Sequence, residues 1–167
     1  MTLLDLPLLS RLRRNHGLEH ATITLLSQRF PHRPFAGYSS PSGFYLFGDA
    51  PTEQIRAAVM QALARMNNGE RHLAIHPGCG TNALASGFVA GLFAWLGMTG
   101  AKTKSEKVER LPLILSLATL GLILSQPLGP AIQERVTTSG DPAGMTIVDI
   151  FPVKFGLFTL HRVVTQG

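Results

Sequence analysis

Ala83-Leu-Ala-Ser-Gly-Phe-Val-Ala-Gly-Leu-Phe-Ala-Trp-Leu-Gly-Met98 is almost wholly apolar, and how it is read decides the fold. It sits inside Leu73 to Ala101, which holds no Lys, Arg, Asp or Glu. A second uncharged stretch runs from Leu111 to Gln133, with its apolar heart at Leu111 to Leu124. About 20 apolar residues cross a bilayer as a helix, and each stretch reaches that length with its neutral flanks. Gly87, Gly91 and Gly97 would weaken a soluble helix. Gly87-x-x-x-Gly91 is instead a spacing that lets membrane helices approach closely, and Trp95 suits an interfacial anchor. Neither stretch has a polar face, and the rest of the chain offers nothing large enough to cover two such helices. The expectation is a two-helix transmembrane hairpin over 81–133 with its loop at 102–110. It makes the chain a multi-pass membrane protein whose first partner is the lipid bilayer.

Working outward, the connector Lys102-Thr-Lys-Ser-Glu-Lys-Val-Glu-Arg110 concentrates positive charge. Positive charge favours the cytoplasmic side of a membrane. About 80 residues without a signal sequence are not readily translocated, however, which argues for the opposite orientation. Arg65, Arg71 and Arg135 flank the other side, so the side of the soluble part stays open. Met1 to Ser10 is apolar, but Arg11, Arg13 and Arg14 follow the apolar run, the reverse of a cleaved signal peptide. The net charge of +5 and pI near 10 come from dispersed basic residues with no recognition motif, which argues against nucleic acid. A single cysteine, Cys79, excludes an intramolecular disulfide.

The remainder reads as a small soluble α+β layer, two helices plus short antiparallel strands. Residues 1–80 form most of it, and 134–167 are a β-rich tail packing on it. Leu8 to Arg29 is the first helix, ended by Phe30-Pro31 and a Pro34 to Pro41 loop. Ser42-Gly-Phe-Tyr-Leu-Phe-Gly48 is a strand between glycines. Pro51 and Thr52 open a second helix, with Asp49 or Thr52 as cap, and Ile55, Val59, Ala62, Leu63 and Met66 follow its period. Arg71 to Ile75 reads as a further strand. Thr146 to Ile150 and Lys154 to Val164 carry strand-type residues. The tail strands pair with Phe44 to Phe47, because a lone strand or hairpin would be marginal.

The chemistry gathers in His16-Gly-Leu-Glu-His20. His16 and His20 share a helix face at spacing four, and Glu19 lies within about 100° of both. Two imidazoles and a carboxylate are the ligand and base set of a catalytic zinc site. His76-Pro-Gly-Cys-Gly-Thr-Asn82 is a second cluster at the start of the first apolar helix, with Thr81 or Asn82 as cap. Imidazole plus thiolate makes His76 and Cys79 apt metal ligands, and with only six His and one Cys the two clusters are expected to face one another.

The five residues His16 to His20 resemble the His-x-x-Glu-His motif of inverzincin metallopeptidases. That resemblance implies zinc held by His16 and His20, with Glu19 as general base. Asn15-His-Gly-Leu-Glu-His-Ala21, Gly43-Phe-Tyr-Leu-Phe-Gly-Asp49 and His76 to Asn82 before a hairpin together resemble an uncharacterised family of small bacterial integral membrane proteins. This second resemblance implies a membrane location and the two-cluster layout, and no activity. No acidic residue takes the peptidases' third-ligand place, since Glu70 follows a helix-ending Asn-Asn-Gly turn and Glu53 comes too early. His76, Cys79 and His161 are the substitutes. The favoured expectation is a non-catalytic or structural His/Glu metal site at the membrane surface, able to dock an unknown protein partner. The alternative is a membrane-anchored zinc hydrolase using Glu19, and a weaker third is thiol redox chemistry at Cys79 with His76 lowering its pKa.

Overall fold

α1 spans Pro7–Arg29 and opens on proline, which lacks the N–H that a first helical turn leaves unpaired in any case. These and the following elements come from a computed structural model that describes residues 3–156 and 158–167. Met1 and Thr2 of the apolar start, and Leu157 inside the expected tail strand, lie outside the described residues. The chain divides into two units, Met1–His76 with Gln133–Gly167, and Pro77–Ile132.

In the first unit, α1 buries Leu18, Ala21, Leu25 and Leu26 together with the polar Asn15, Glu19, His20 and Thr22. α2, Thr52–Asn67, buries Ile55, Ala58, Val59, Ala62, Leu63 and Met66 on one stripe. Pro51 stands at its N-cap with no side-chain cap, so neither Asp49 nor Thr52 plays that part. The Thr52 hydroxyl is occupied elsewhere, 3.0 Å from His161 Nε2.

Four antiparallel strands form one sheet in the order β1-β2-β4-β3. They are β1 Ala36–Ser40, β2 Gly43–Phe47, β3 Thr146–Phe155 and β4 Phe158–Gln166. The tail does pair with the 44–47 strand, Tyr45 lying opposite Arg162 and Leu46 opposite His161. Two expectations need correction. β1 occupies part of the segment read as a loop, because Ala-Gly-Tyr-Ser-Ser has no apolar alternation and takes its shape from pairing with β2 at the sheet edge. Arg71–Ala74 is a 3₁₀ turn and not a strand, closed by a Leu73 N–H to Glu70 carbonyl bond and burying Leu73 and Ala74.

Leu18, Leu26, Phe44, Leu46, Ile55, Val59, Ile150 and Val163 make the centre of the core between helices and sheet. Burying a side chain of this size stabilises the fold by about 1.5–3 kcal/mol.

The second unit is helical: α3 Gly80–Met98, α4 Lys104–Glu109, α5 Leu111–Ser125 and α6 Leu128–Ile132. α3 and α5 pack antiparallel. A Cβ built on Gly97 would meet Leu117 and Ile114, one on Gly121 would meet Ala90 and Val89, and Ser125 donates to Ser86 at 2.9 Å. Gly87 and Gly91 face open space, so the close approach expected of them belongs to Gly97 and Gly121. The cap of α3 is Cys79, whose sulfur accepts from the Thr81 N–H at 3.5 Å, and not Thr81 or Asn82.

α3 is long and apolar enough to cross a membrane. The second uncharged stretch breaks at Gln126-Pro127, and qualifies only if the bent pieces on either side count together. The expected connector contains α4, capped by Thr103. Its Glu106 carboxyl is held below the usual range, chiefly by accepting the Lys102 N–H.

Candidate metal centre

α1 places His16 and His20 one turn apart, and the spacing brings their rings together with centroids 4.3 Å apart, edge to face. The second strip of chain that meets this face is the 3₁₀ turn and its exit. There His76 sets its ring 5.8 Å, centroid to centroid, from that of His20. Three imidazoles from two separate stretches of chain thus converge within the first unit. His20 is 2% exposed, and His16 and His76 are half-buried.

Two of the rings are oriented by backbone. His20 Nδ1 lies 2.8 Å from the Ala74 carbonyl, and His16 Nδ1 lies 2.9 Å from the Thr137 carbonyl. A carbonyl only accepts, so each Nδ1 carries a proton, and in the neutral ring Nε2 is then the ligand atom. This is the arrangement in which ligating histidines are usually found, the far nitrogen donating to a carbonyl while the near one meets the ion. The donor chemistry fits a borderline cation such as zinc.

His76 is held through its main chain. The Gln133 carboxamide accepts from the His76 N–H at 2.9 Å and donates to the His76 carbonyl at 3.1 Å. Gln133 opens a π-type turn, Gln133–Thr137, whose last carbonyl is the one that His16 meets. Gly17, between the two helix histidines, allows the chain beyond that turn to come close. A Cβ there would stand 2.2 Å from the Ser139 carbonyl oxygen.

Glu19 is 4% exposed and accepts from Ser39 Oγ at 2.5 Å. Its carboxyl lies over Gly37 of β1, where a Cβ would come within 2.5 Å of it. The sheet-facing side of α1 is polar for this reason: Asn15 Nδ2 donates to the Ser40 carbonyl, and Thr165 Oγ1 donates to Asn15 Oδ1.

Two other sequence candidates, Glu70 and His161, stand elsewhere in the first unit. Glu70 is ion-paired with Arg65, whose guanidinium keeps the carboxyl below its usual range. His161 sits on β4 with Nε2 on Thr52, its Nδ1 is buried without a partner, and burial pushes its pKa down. Cys79 is buried at the start of α3 in the second unit. Sequence reasoning missed Gln133, the Ala74 and Thr137 carbonyls, and Ser39. Of these, only Gln133 had a visible signal, a polar residue closing an uncharged run.

Residues 11–150 match a family described as "Domain of unknown function (DUF6391)". The chain belongs to this family. The family's span contains all three clustered histidines, Glu19, Cys79 and Gln133. An uncharacterized protein of Picosynechococcus sp. is 33% identical over 141 residues, covering 77% of this chain. The chain spans 66% of that relative's length. No solved structure matches. These likenesses place the chain in an uncharacterised family and carry no activity with them.

Proposed function

We propose that this family member is a membrane-anchored protein whose first unit holds one divalent transition-metal ion, zinc being the best fit, in a structural or non-catalytic role. The observation that carries the reading is the pair of Nδ1–carbonyl bonds, which orient two neighbouring rings of α1 beside the His76 ring. Two or three clustered imidazoles fit zinc better than calcium or magnesium, which prefer oxygen.

Support for the anchor comes from the second unit. Only 11% of the apolar window of α3 is buried, and Leu84, Phe88, Trp95 and Leu115 are each more than 60% exposed. Exposed apolar surface on this scale calls for lipid or a protein partner. We propose lipid, with α3 and the α5–α6 segment as two spans.

The alternative, a zinc hydrolase with Glu19 as base, keeps one supporting feature: Glu19 is buried on the helix that carries both histidines. Its carboxylate is engaged with Ser39, which favours the structural role. Metal analysis of detergent-purified protein, with Glu19→Gln and His20→Ala beside it, tests the reading. A structural site predicts metal retained in Glu19→Gln, lost in His20→Ala, and no hydrolysis gained or lost with either.

A further inference from the structure

We infer that Gln133 is a positioning residue of the proposed metal site, acting through the backbone of His76. The inference rests on the metal reading above and deepens it. Gln133 is fully buried, yet it lies directly after a run of apolar residues and is far more polar than a packing role requires. A buried carboxamide is costly unless its groups are paired, and here the pairing is specific. Oε1 takes the His76 N–H and Nε2 gives a proton to the His76 carbonyl, the pattern by which a neighbouring strand would bond that residue. A carboxamide carries a donor and an acceptor side by side in one plane without any change of protonation, which suits Asn and Gln to this clamp.

The backbone that carries the carboxamide is itself tied down. The Gln133 carbonyl accepts from both the N–H and the hydroxyl of Thr138, each at 2.9 Å. The resulting π-type turn ends at Thr137, whose carbonyl orients His16. Single π turns inside helical segments are often retained at functional sites. One five-residue turn therefore sets the ring of His16 and the main chain of His76, while Ala74, two residues before His76, sets His20. The described contacts that hold the three histidines come from two short segments, 74–76 and 133–137. The two segments are far apart in sequence and are cross-linked by Gln133. Loss of the clamp frees the φ and ψ of His76, and the ring swings with them. Removing such outer contacts weakens metal binding by about 10- to 100-fold in comparable sites.

The test uses the full chain in detergent micelles with Co²⁺ as the probe, because its visible bands report ligand number and geometry. Gln133→Met keeps the length and removes both hydrogen bonds. Gln133→Glu, compared across rising pH, keeps an acceptor for the His76 N–H and, once ionised, turns a second acceptor on the His76 carbonyl. Thr138→Val loosens the same turn without touching the carboxamide. The expected result is Co²⁺ binding weakened about 10- to 100-fold in Gln133→Met. The bands of its bound ion shift, and Gln133→Glu changes in the same direction. Thr138→Val, which loosens the turn that carries Gln133 and orients His16, should weaken binding in the same direction but by less than Gln133→Met. A merely structural role would lower thermal stability while leaving the bands of the bound ion in place. If wild type binds Co²⁺ and both Gln133 variants match its affinity and spectrum, the role assigned to Gln133 is wrong and the metal site stands. If wild type binds no Co²⁺, the metal reading itself fails and takes this inference with it. Should Gln133→Met not fold, Gln133→Glu decides by the same criteria.

Discussion

His20 Nδ1 and the carbonyl oxygen of Ala74 are 2.8 Å apart in the buried interior, joining α1 to the turn that leads to His76. The bond places a proton on Nδ1 of a ring that is 2% exposed and turns that nitrogen to the backbone. It also makes His20 structurally necessary whether or not an ion is present.

His20→Ala therefore has two effects. Without metal it strands the Ala74 carbonyl and should cost about 1–3 kcal/mol. With zinc supplied, the difference from wild type should widen, because only the parent gains binding energy in the folded state. Denaturant melts with and without added zinc check this. An equal gap under both conditions would argue against an ion at His20.

Gly37→Ala should destabilise the first unit by about 1–3 kcal/mol, since the added methyl meets the Glu19 carboxyl carbon at 2.5 Å with the sheet behind it. Glu19→Ala combined with Gly37→Ala should recover part of the loss. A double-mutant cycle on thermal or urea unfolding reads the coupling, and strict additivity would mean that the two residues do not meet.

His161 makes stability depend on pH. Its pKa is lowered from 6.5 by burial, so between the folded and unfolded values the unfolded chain binds more protons. The contribution is complete above about 6.5 and is lost as the pH falls from there through the folded-state value, so stability declines with acid in that window. His161→Phe should flatten this part of the curve. Urea midpoints measured from pH 7.5 to 5 would show it, and an unchanged slope in the variant would assign the dependence to other groups.

Gly121→Leu should separate α3 from α5, because its Cβ already lies 3.0 Å from the Ala90 Cα. Gly91→Leu should leave the pair intact, since nothing lies within 4 Å of its Cβ. We expect a loss of about 1–3 kcal/mol or more for the first and little for the second, read as thermal stability in detergent. The reverse ranking would restore Gly87 and Gly91 to the helix contact.

Much of the architecture was visible in the amino-acid order because apolar periodicity is a local signal. Leu8 to Arg29 and the stripe from Ile55 to Met66 announce their helices, and Phe44 to Phe47 its strand. β1 was invisible because Ala36 to Ser40 owes its shape to a neighbour and not to its own residues. Cys79 was legible as a ligand type, while its place as the α3 cap follows from local backbone geometry that spacing does not encode. In the site, the four-residue spacing of His16 and His20 foretold their shared face, and the scarcity of other partners pointed to His76. The carbonyls of Ala74 and Thr137 leave no trace in side-chain identity, and Gln133 acts across a gap of 57 residues, so no local pattern could report either.

The central claim is that the histidine cluster holds an ion, and metal content measures it most directly. Protein purified in detergent without chelators or a histidine tag, then analysed by mass spectrometry for first-row metals, should carry about one zinc per chain, and His20→Ala should carry almost none. A wild-type content below about 0.1 per chain that fails to rise on adding zinc would contradict the account, and would leave His16, His20 and His76 as packing and hydrogen bonding alone.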